Sequence, residues 1–599
     1  MSAQEERGAL TSRPSLYAYV LGRLAAEPDG RPPVGGYPAP DEPSVPPGSV
    51  RLRGKKAFAA VRSALGPLLA GPDTRTAAEA VERRLAGLPV PVGALVGAVL
   101  SLPLDDEAAA RALGRRLVRT GRESRSVSVG LALMRRLGEP EDVPSLRTLA
   151  RLRNLSSLAV AALEPLDPQT AALRWLDDRV TKSELRPLVD ALLVAPASGL
   201  RALMVGPSWD VRAVGPSPAR RIAEAVGLAG LLRDGPVDPR LLARAGRLLV
   251  RMASPRDYQA EILCYGDAVE VCEAVVRRAS ALPPTVDHAA VLLSLAVDLH
   301  SGPTHLLPWR EGQREQLLDA LGALLASPAW EGAFEEPGPD APSAVRRRAA
   351  WLRYTSELLF RTPGPSGRLR IVVLSRDPLD GEPVEARVLV DDRPLVPALF
   401  GRGAAEAPEY LLDRRALRAT EEPHEVKLAE AWCSEGCCGA LRVTVVREGD
   451  EVVWRDWRHP ARLPSGHPAP ELPAYRFDAA AYDAELTRAT ADDGWSWPAR
   501  TAGRLIDAGL RERPGLLARW DARFLHAGAD HRAPDTTVLW FLYRPGFFEG
   551  AVDEDGPWLQ FVWRLPDDGA PPAERAAAAL RRLAEEDPRA CADCVAGRR

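Results

Sequence analysis

Lysine is almost absent from this chain. Of 78 basic residues, only Lys55, Lys56, Lys182 and Lys427 are lysines. With 48 glycines and 56 prolines, the arginine excess reads as the codon usage of a high-GC genome, so it says nothing by itself about arginine chemistry. An excess of one charge is also lacking. The 78 basic residues meet 81 acidic ones, a net charge of −3. That excludes a broad electrostatic pull toward nucleic acid or anionic lipid. No window approaches about 18 uninterrupted apolar residues, so no membrane-spanning helix is predicted. The opening MSAQEERGALTSRPSLYAYV lacks the basic start, apolar run and small-residue cleavage site of a secretory leader. A cytoplasmic protein is expected, in a compartment that keeps its seven cysteines reduced. Catalytic signatures are scarce too. LRGKKA (52–57) lacks the upstream Gly and the Ser/Thr of a phosphate loop, and there is no G-x-S-x-G elbow or H-E-x-x-H helix.

What the chain has is helical periodicity. Residues 15–27 place Leu16, Val20, Leu21 and Leu24 at helical spacing, and the Pro/Gly-rich 28–49 reads as a linker. Val127, Leu131, Met134 and Leu137 lie on one helical face, and Gly138 ends that helix. Asp167-Pro168 and Asp238-Pro239 each predict a helix start, with Asp supplying the capping oxygen and Pro the first helical position. Aligning RLGEPEDVPSLRTL with PLDPQTAALRWL gives an offset of about 25 to 30 residues, a period typical of short helical hairpins. Through RESRSVSVGLALMRRLGEPEDVPSLRTLARL, residues 105–280 resemble the HEAT-like repeat superfamily. That resemblance implies an α-solenoid over 51–361 with a long surface for a protein partner.

After the TPGPSG segment at 362–367 the period changes to two. Strands are predicted at 368–376, 384–392, 424–432, 440–448, 451–457, 536–544 and 557–565, and helices at 477–489, 497–513, 514–524 and 571–587. The expected organisation is an N-terminal helix and linker (1–50), the solenoid (51–361), a β-rich domain (368–460), an α+β extension packed on it (461–590) and a tail (591–599). Its sheet is expected to be mainly antiparallel. Through LAEAWCSEGCCGALRVTVVREGDEVVWRDWR and DGPWLQFVWRLPDDG, this C-terminal block resembles uncharacterised proteins of high-GC bacteria. The resemblance implies a domain and no activity.

The sharpest chemistry is in the cysteines. Cys433-x-x-x-Cys437, with Cys438 as an alternative, and Cys591-x-x-Cys594 together offer four soft ligands for zinc. The competing reading makes Cys433, Cys437 and Cys438 small apolar residues of a tight strand connection turned by Gly436 and Gly439. Redox chemistry at Cys591 is disfavoured because the C-x-x-C follows a helix, where the dipole raises a thiol pKa. Cys264 and Cys272 read as small residues of one buried helix. His526, Asp530 and His531 form a second candidate metal set in an expected loop, with Asp535 near it. Glu430 and Glu435 flank the thiols as a candidate acid–base pair. Arg346, Arg347 and Arg348 read as a solvated helix face. The combined expectation is a non-enzymatic scaffold that holds a protein partner on its helices. The alternative is a zinc-binding or hydrolytic protein with its site in the C-terminal module. No nucleic-acid or membrane partner and no obligate cofactor are expected.

Overall fold

The computed structural model describes residues 14–27, 36–40, 52, 54–69, 73–180, 185–206, 211, 214–234, 236, 238–256, 259–360, 367–460, 472–548 and 557–596. The chain divides into two compact units, Met1–Pro236 and Val237–Arg599. Most of the expected 28–49 linker, and 362–366, lie outside the described residues. Tyr37 lies inside them and is fully buried. Its N–H donates to the Arg151 carbonyl at 2.8 Å and its carbonyl accepts from Arg153 at 2.9 Å. This part of the presumed linker is therefore pinned to the helices.

The first unit is helical. Its described elements begin with α1 (Leu16–Ala26), α2 (Gly54–Leu69), α3 (Thr74–Ala86), α4 (Val92–Ser101), α5 (Glu107–Thr120), α6 (Ser124–Leu137), α7 (Val143–Leu149), α8 (Ser156–Leu163) and α9 (Pro168–Arg179). Adjacent helices pack, α5 on α6 most extensively, and packing also skips one element at a time. α2 packs on α4, α4 on α6 and α6 on α8, while α3 packs on α5 and α5 on α7. The Asp167 carboxylate caps α9 by accepting from the Thr170 N–H, as the Asp-Pro signal predicts. α6 departs from its one-faced pattern and is buried almost all round. Its Ser126 and Ser128 hydroxyls donate to the Glu123 and Ser124 carbonyls, which lets the polar face enter the core. α10 (Arg186–Val194), α11 (Leu200–Val205), α12 (Pro216–Val226) and α13 (Leu228–Arg233) complete the unit, with α12 against α9.

The second unit opens with α14 (Pro239–Met252), α15 (Ala268–Arg277), α16 (Val286–Ser301), α17 (Gln313–Leu325) and α18 (Ser343–Phe360). The skipping pattern returns, α14 on α16 on α18 and α15 on α17. Asp238 caps α14 through the Arg240 and Leu241 N–H groups.

Three small antiparallel sheets follow. The first joins β1 (Leu369–Leu374), β2 (Glu385–Val390) and β3 (Arg393–Pro394), with α19 (Leu395–Leu399) after it. The second joins β4 (His424–Glu430), β5 (Ala440–Glu448), β6 (Glu451–Arg458) and β7 (Tyr475–Asp478), with the short helix α20 (Glu435–Cys438) between β4 and β5 and α21 (Ala479–Ala491) after β7. Then come α22 (Pro498–Glu512), α23 (Gly515–Ala518), β8 (Ala522–Ala529), β9 (Thr537–Tyr543), β10 (Leu559–Leu565), α24 (Pro572–Glu585) and β11 (Asp593–Ala596). The third sheet has the order β11-β10-β9-β8.

The first two sheets share one core, centred on the fully buried Trp454 with Phe477 and Tyr482 edge-on to it. The third sheet has its own core with α22 and α24. The core change therefore falls between Trp497 and Ile506, well after the expected boundary at 460. The helix expected over 514–524 stops at Ala518. Asp521 takes a left-handed φ of 51° and its carboxylate accepts the Gly546 N–H, so the chain turns there into β8.

Candidate functional site

The thiol-bearing loop is built by the second sheet. Along β4, Val426 and Leu428 are buried in alternation, but the register slips between Lys427 and Ala429. This bulge shifts the alternation by one residue. Ala429 and Ala431 become the buried residues, and Trp432 turns out to solvent and is 53% exposed. The Arg256 guanidinium covers its ring at 5.7 Å. α20 is one turn long, with the Cys437 and Cys438 N–H groups both donating to the Ser434 carbonyl. Gly439 takes φ 90°, and a Cβ there would meet Pro460 at 2.9 Å. Gly439 thus makes the turn, whereas Gly436 is an ordinary member of α20 and shares no part of it.

This geometry gathers three thiols. The ligand atoms of Cys433, Cys437 and Cys438 all lie within 4.8 Å of one another, and the Cys437 and Cys438 sulfurs are 3.8 Å apart. Sulfurs bound to one zinc at about 2.3 Å stand roughly 3.8 Å apart, so the spacing suits a shared thiophilic ion. Cys433 and Cys437 are exposed and are not core filler, whereas Cys438 is half-buried and packs against the core of the first two sheets. The hydrogen bond from Cys438 holds the Cys433 thiol below its ordinary range. The bond to Cys433, followed by that to Cys438, pushes Cys437 up to about 11. Cys433 is therefore the more readily ionised of this pair and Cys437 the less.

The flanking acids are occupied as anions. Glu430 accepts from Lys427 and from the Glu435 N–H, and the lysine holds its carboxyl below the usual range. Glu435 takes both prongs of Arg442 at 3.0 and 2.8 Å, which lowers it likewise. A general acid would need the opposite shift, so this pair frames the loop instead. Lys427 and Arg442 are the residues sequence reasoning missed. Their signal was present as cross-strand partners in the charge alternation of β4 and β5, Lys427 facing Arg442 in register.

The other sequence candidates lie apart. The four-thiolate site that would join the two knuckles is not assembled. Among the described residues the thiol group contains neither Cys591 nor Cys594. The physical reason is strand pairing. Asp593–Ala596, in the expected tail, adds to β10 as edge strand β11, with Cys594 opposite Phe561. Cys591 packs against the core of the third sheet, its thiol donates to the Pro588 carbonyl at 3.3 Å, and burial raises its pKa. Cys264 is exposed in a short 3-10 turn, and Cys272 is buried in α15, where burial pushes its thiol up. His526 sits in β8 instead of a loop, and burial lowers its pKa. The Asp530 carboxylate accepts the Arg532 and Ala533 N–H groups, and Asp535 binds Ser343 and Arg347. No metal-competent group of three forms around His526 and His531 among the described residues. Arg348, expected on a solvated face, is buried and grips Asp377 at 2.9 and 2.7 Å.

No protein-family model, curated protein or solved structure matches this chain. No helix among the described residues is long and apolar enough to cross a membrane.

Proposed function

We propose that this chain is a non-enzymatic scaffold whose N-terminal helices form a HEAT-like array that holds a protein partner. The observation that supports it is the skipped packing of helices. α2, α4, α6 and α8 form one row and α3, α5 and α7 another. In stacked helical repeats, two such rows bury the inner face of each helical pair against its neighbours and leave an extended outer surface. The test is cross-linking mass spectrometry on the full-length tagged chain purified with its co-purifying proteins. A stoichiometric partner should cross-link to residues 54–179. A partner-free chain, or cross-links confined to 369–596, would sink the scaffold reading.

A second reading rests on the thiols. Cys433, Cys437 and Cys438 are three soft ligands already within reach of one ion, which favours zinc or another thiophilic cation with its remaining position open to water or to a partner. Elemental analysis of reduced protein should return close to one thiophilic metal ion per chain, lost on replacing all three cysteines with serine. Less than about 0.2 equivalents in the unaltered protein removes this reading, because structural thiolate sites bind tightly.

A further inference from the structure

The second unit holds a cavity of about 240 Å³ that neither reading uses. One wall is a single face of α18, which supplies Ser343, Arg346, Arg347, Ala350, Trp351 and Tyr354 at helical spacing. The opposite wall is the turn before α22, with Trp495 and Trp497. The rings are fixed in place. Each indole N–H is already donated, Trp351 to the Ser375 carbonyl at 3.0 Å, Trp495 to Asp492 at 2.8 Å and Trp497 to Pro534 at 2.6 Å. Arg500 lies over both Trp495 and Trp497, at 5.1 and 5.3 Å, and is itself held by a two-pronged bond to Glu409. What these indoles have left to offer the cavity is apolar ring surface.

The charges around the cavity do not cancel. Arg347 is neutralised by Asp535, and Asp567 is engaged by Arg575. Arg346 donates only to the Pro339 and Ala341 carbonyls among its described hydrogen bonds. Arg353 approaches Glu336 no closer than 3.9 Å, and Glu336 is 82% exposed. The Nη1 of Arg353 is buried with no hydrogen-bond partner. The Arg353 side chain is 38% exposed and has no close carboxylate, so its guanidinium is open to a charge-assisted bond from an anion.

We infer that this cavity binds a small planar aromatic molecule carrying one oxyanion, its ring against Trp351 and Trp497 and its anion on Arg353. Aromatic packing selects the ring, and the charge-assisted bond selects the carboxylate or phosphate.

The test is calorimetric titration of the full chain with 4-hydroxybenzoate, indole-3-acetate and adenosine monophosphate. Benzamide serves as a ring without an anion, and acetate and inorganic phosphate as anions without a ring. At least one aromatic oxyanion should saturate, and whether the carboxylates or the nucleotide do so identifies the anion's source. The controls should bind at least about tenfold more weakly. Arg353→Met should weaken binding about tenfold or more, with Arg353→Lys in between, at an unchanged melting temperature. Ala350→Phe, which fills the cavity from the helix side without removing a charge, should also block binding and covers the case in which Arg353→Met misfolds. The inference is overturned if no aromatic oxyanion binds up to about 10 mM, where even fragment-sized sites register. Equal binding of benzamide, or full binding by the Ala350→Phe variant, overturns it as well.

Discussion

At the residue scale, burial decides chemistry that the sequence leaves open. His300 reads as one of several histidines, yet it is buried beside Arg370, Arg314 and Arg387, with His305 near it. Arg370 donates to its Nε2 at 2.7 Å, so the proton sits on Nδ1, which has no partner. Burial, reinforced by the arginines, pushes its pKa down to about 3 from 6.5. The folded protein therefore keeps this imidazole neutral while the unfolded chain takes up a proton below pH 6.5. Stability should be fully present above that pH and should fall as pH drops toward 3, by up to about 1.4 kcal/mol per pH unit from this group. Urea midpoints between about pH 4 and about pH 7 measure it. His300→Gln should flatten the slope, and an unchanged slope would refute the assignment. The thiols make the same point in reverse. Their spacing in sequence was legible, but their exposure, and the absence of Cys591 and Cys594 from the group, followed from a bulge in β4 and from the pairing of β11.

At the element scale, local signals were reliable where one residue type answers one local need. Asp-Pro starts and alternating strands were legible, because capping and alternation are satisfied within a few residues. Signals failed where a neighbour intervened. β8 falls where the sequence reads the end of a helix and then a loop, yet it lies against α22 so closely that a Cβ on Gly503 would sit 2.5 Å from the Gly528 Cα. Backbone cannot give way as a flexible side chain can. Gly503→Ala should destabilise the third core by about 1–3 kcal/mol, even though alanine favours an isolated helix. Thermal unfolding of the full chain checks this, and a raised melting temperature would contradict the close approach.

At the scale of the whole molecule, the informative disagreement concerns boundaries. The prolines and glycines at 362–367 mark a change of period, and the sequence reads them as a domain border. The compact units divide at 236 instead. Val297 of α16 and Leu358 and Leu359 of α18 pack with Val372, Leu374 and Leu389, so these helices and the first sheet share apolar surface. A buried charge network binds them further. Arg376 donates to Asp298 at 2.6 Å and to Glu382 at 2.8 Å, and all three side chains are at most 2% exposed. Arg376→Met should remove the closest cation from two buried carboxylates, leave Asp298 without its charged hydrogen-bond donor and cost about 3 kcal/mol, read as a lower denaturation midpoint. A loss below about 1 kcal/mol would mean that the network does not join helices to sheet. Sequence alone determined the helical first part, the strands of the second, the helix caps and the concentration of thiols at 433–438. Each of these depends on contacts within a turn or a strand pair. Only tertiary structure decided which thiols meet, which arginines are buried, where one core ends and the next begins, and that Trp351, Trp495 and Trp497 surround one cavity. Those outcomes depend on groups brought together from far apart in the chain, 146 positions for Trp351 and Trp497, and no local pattern encodes that proximity.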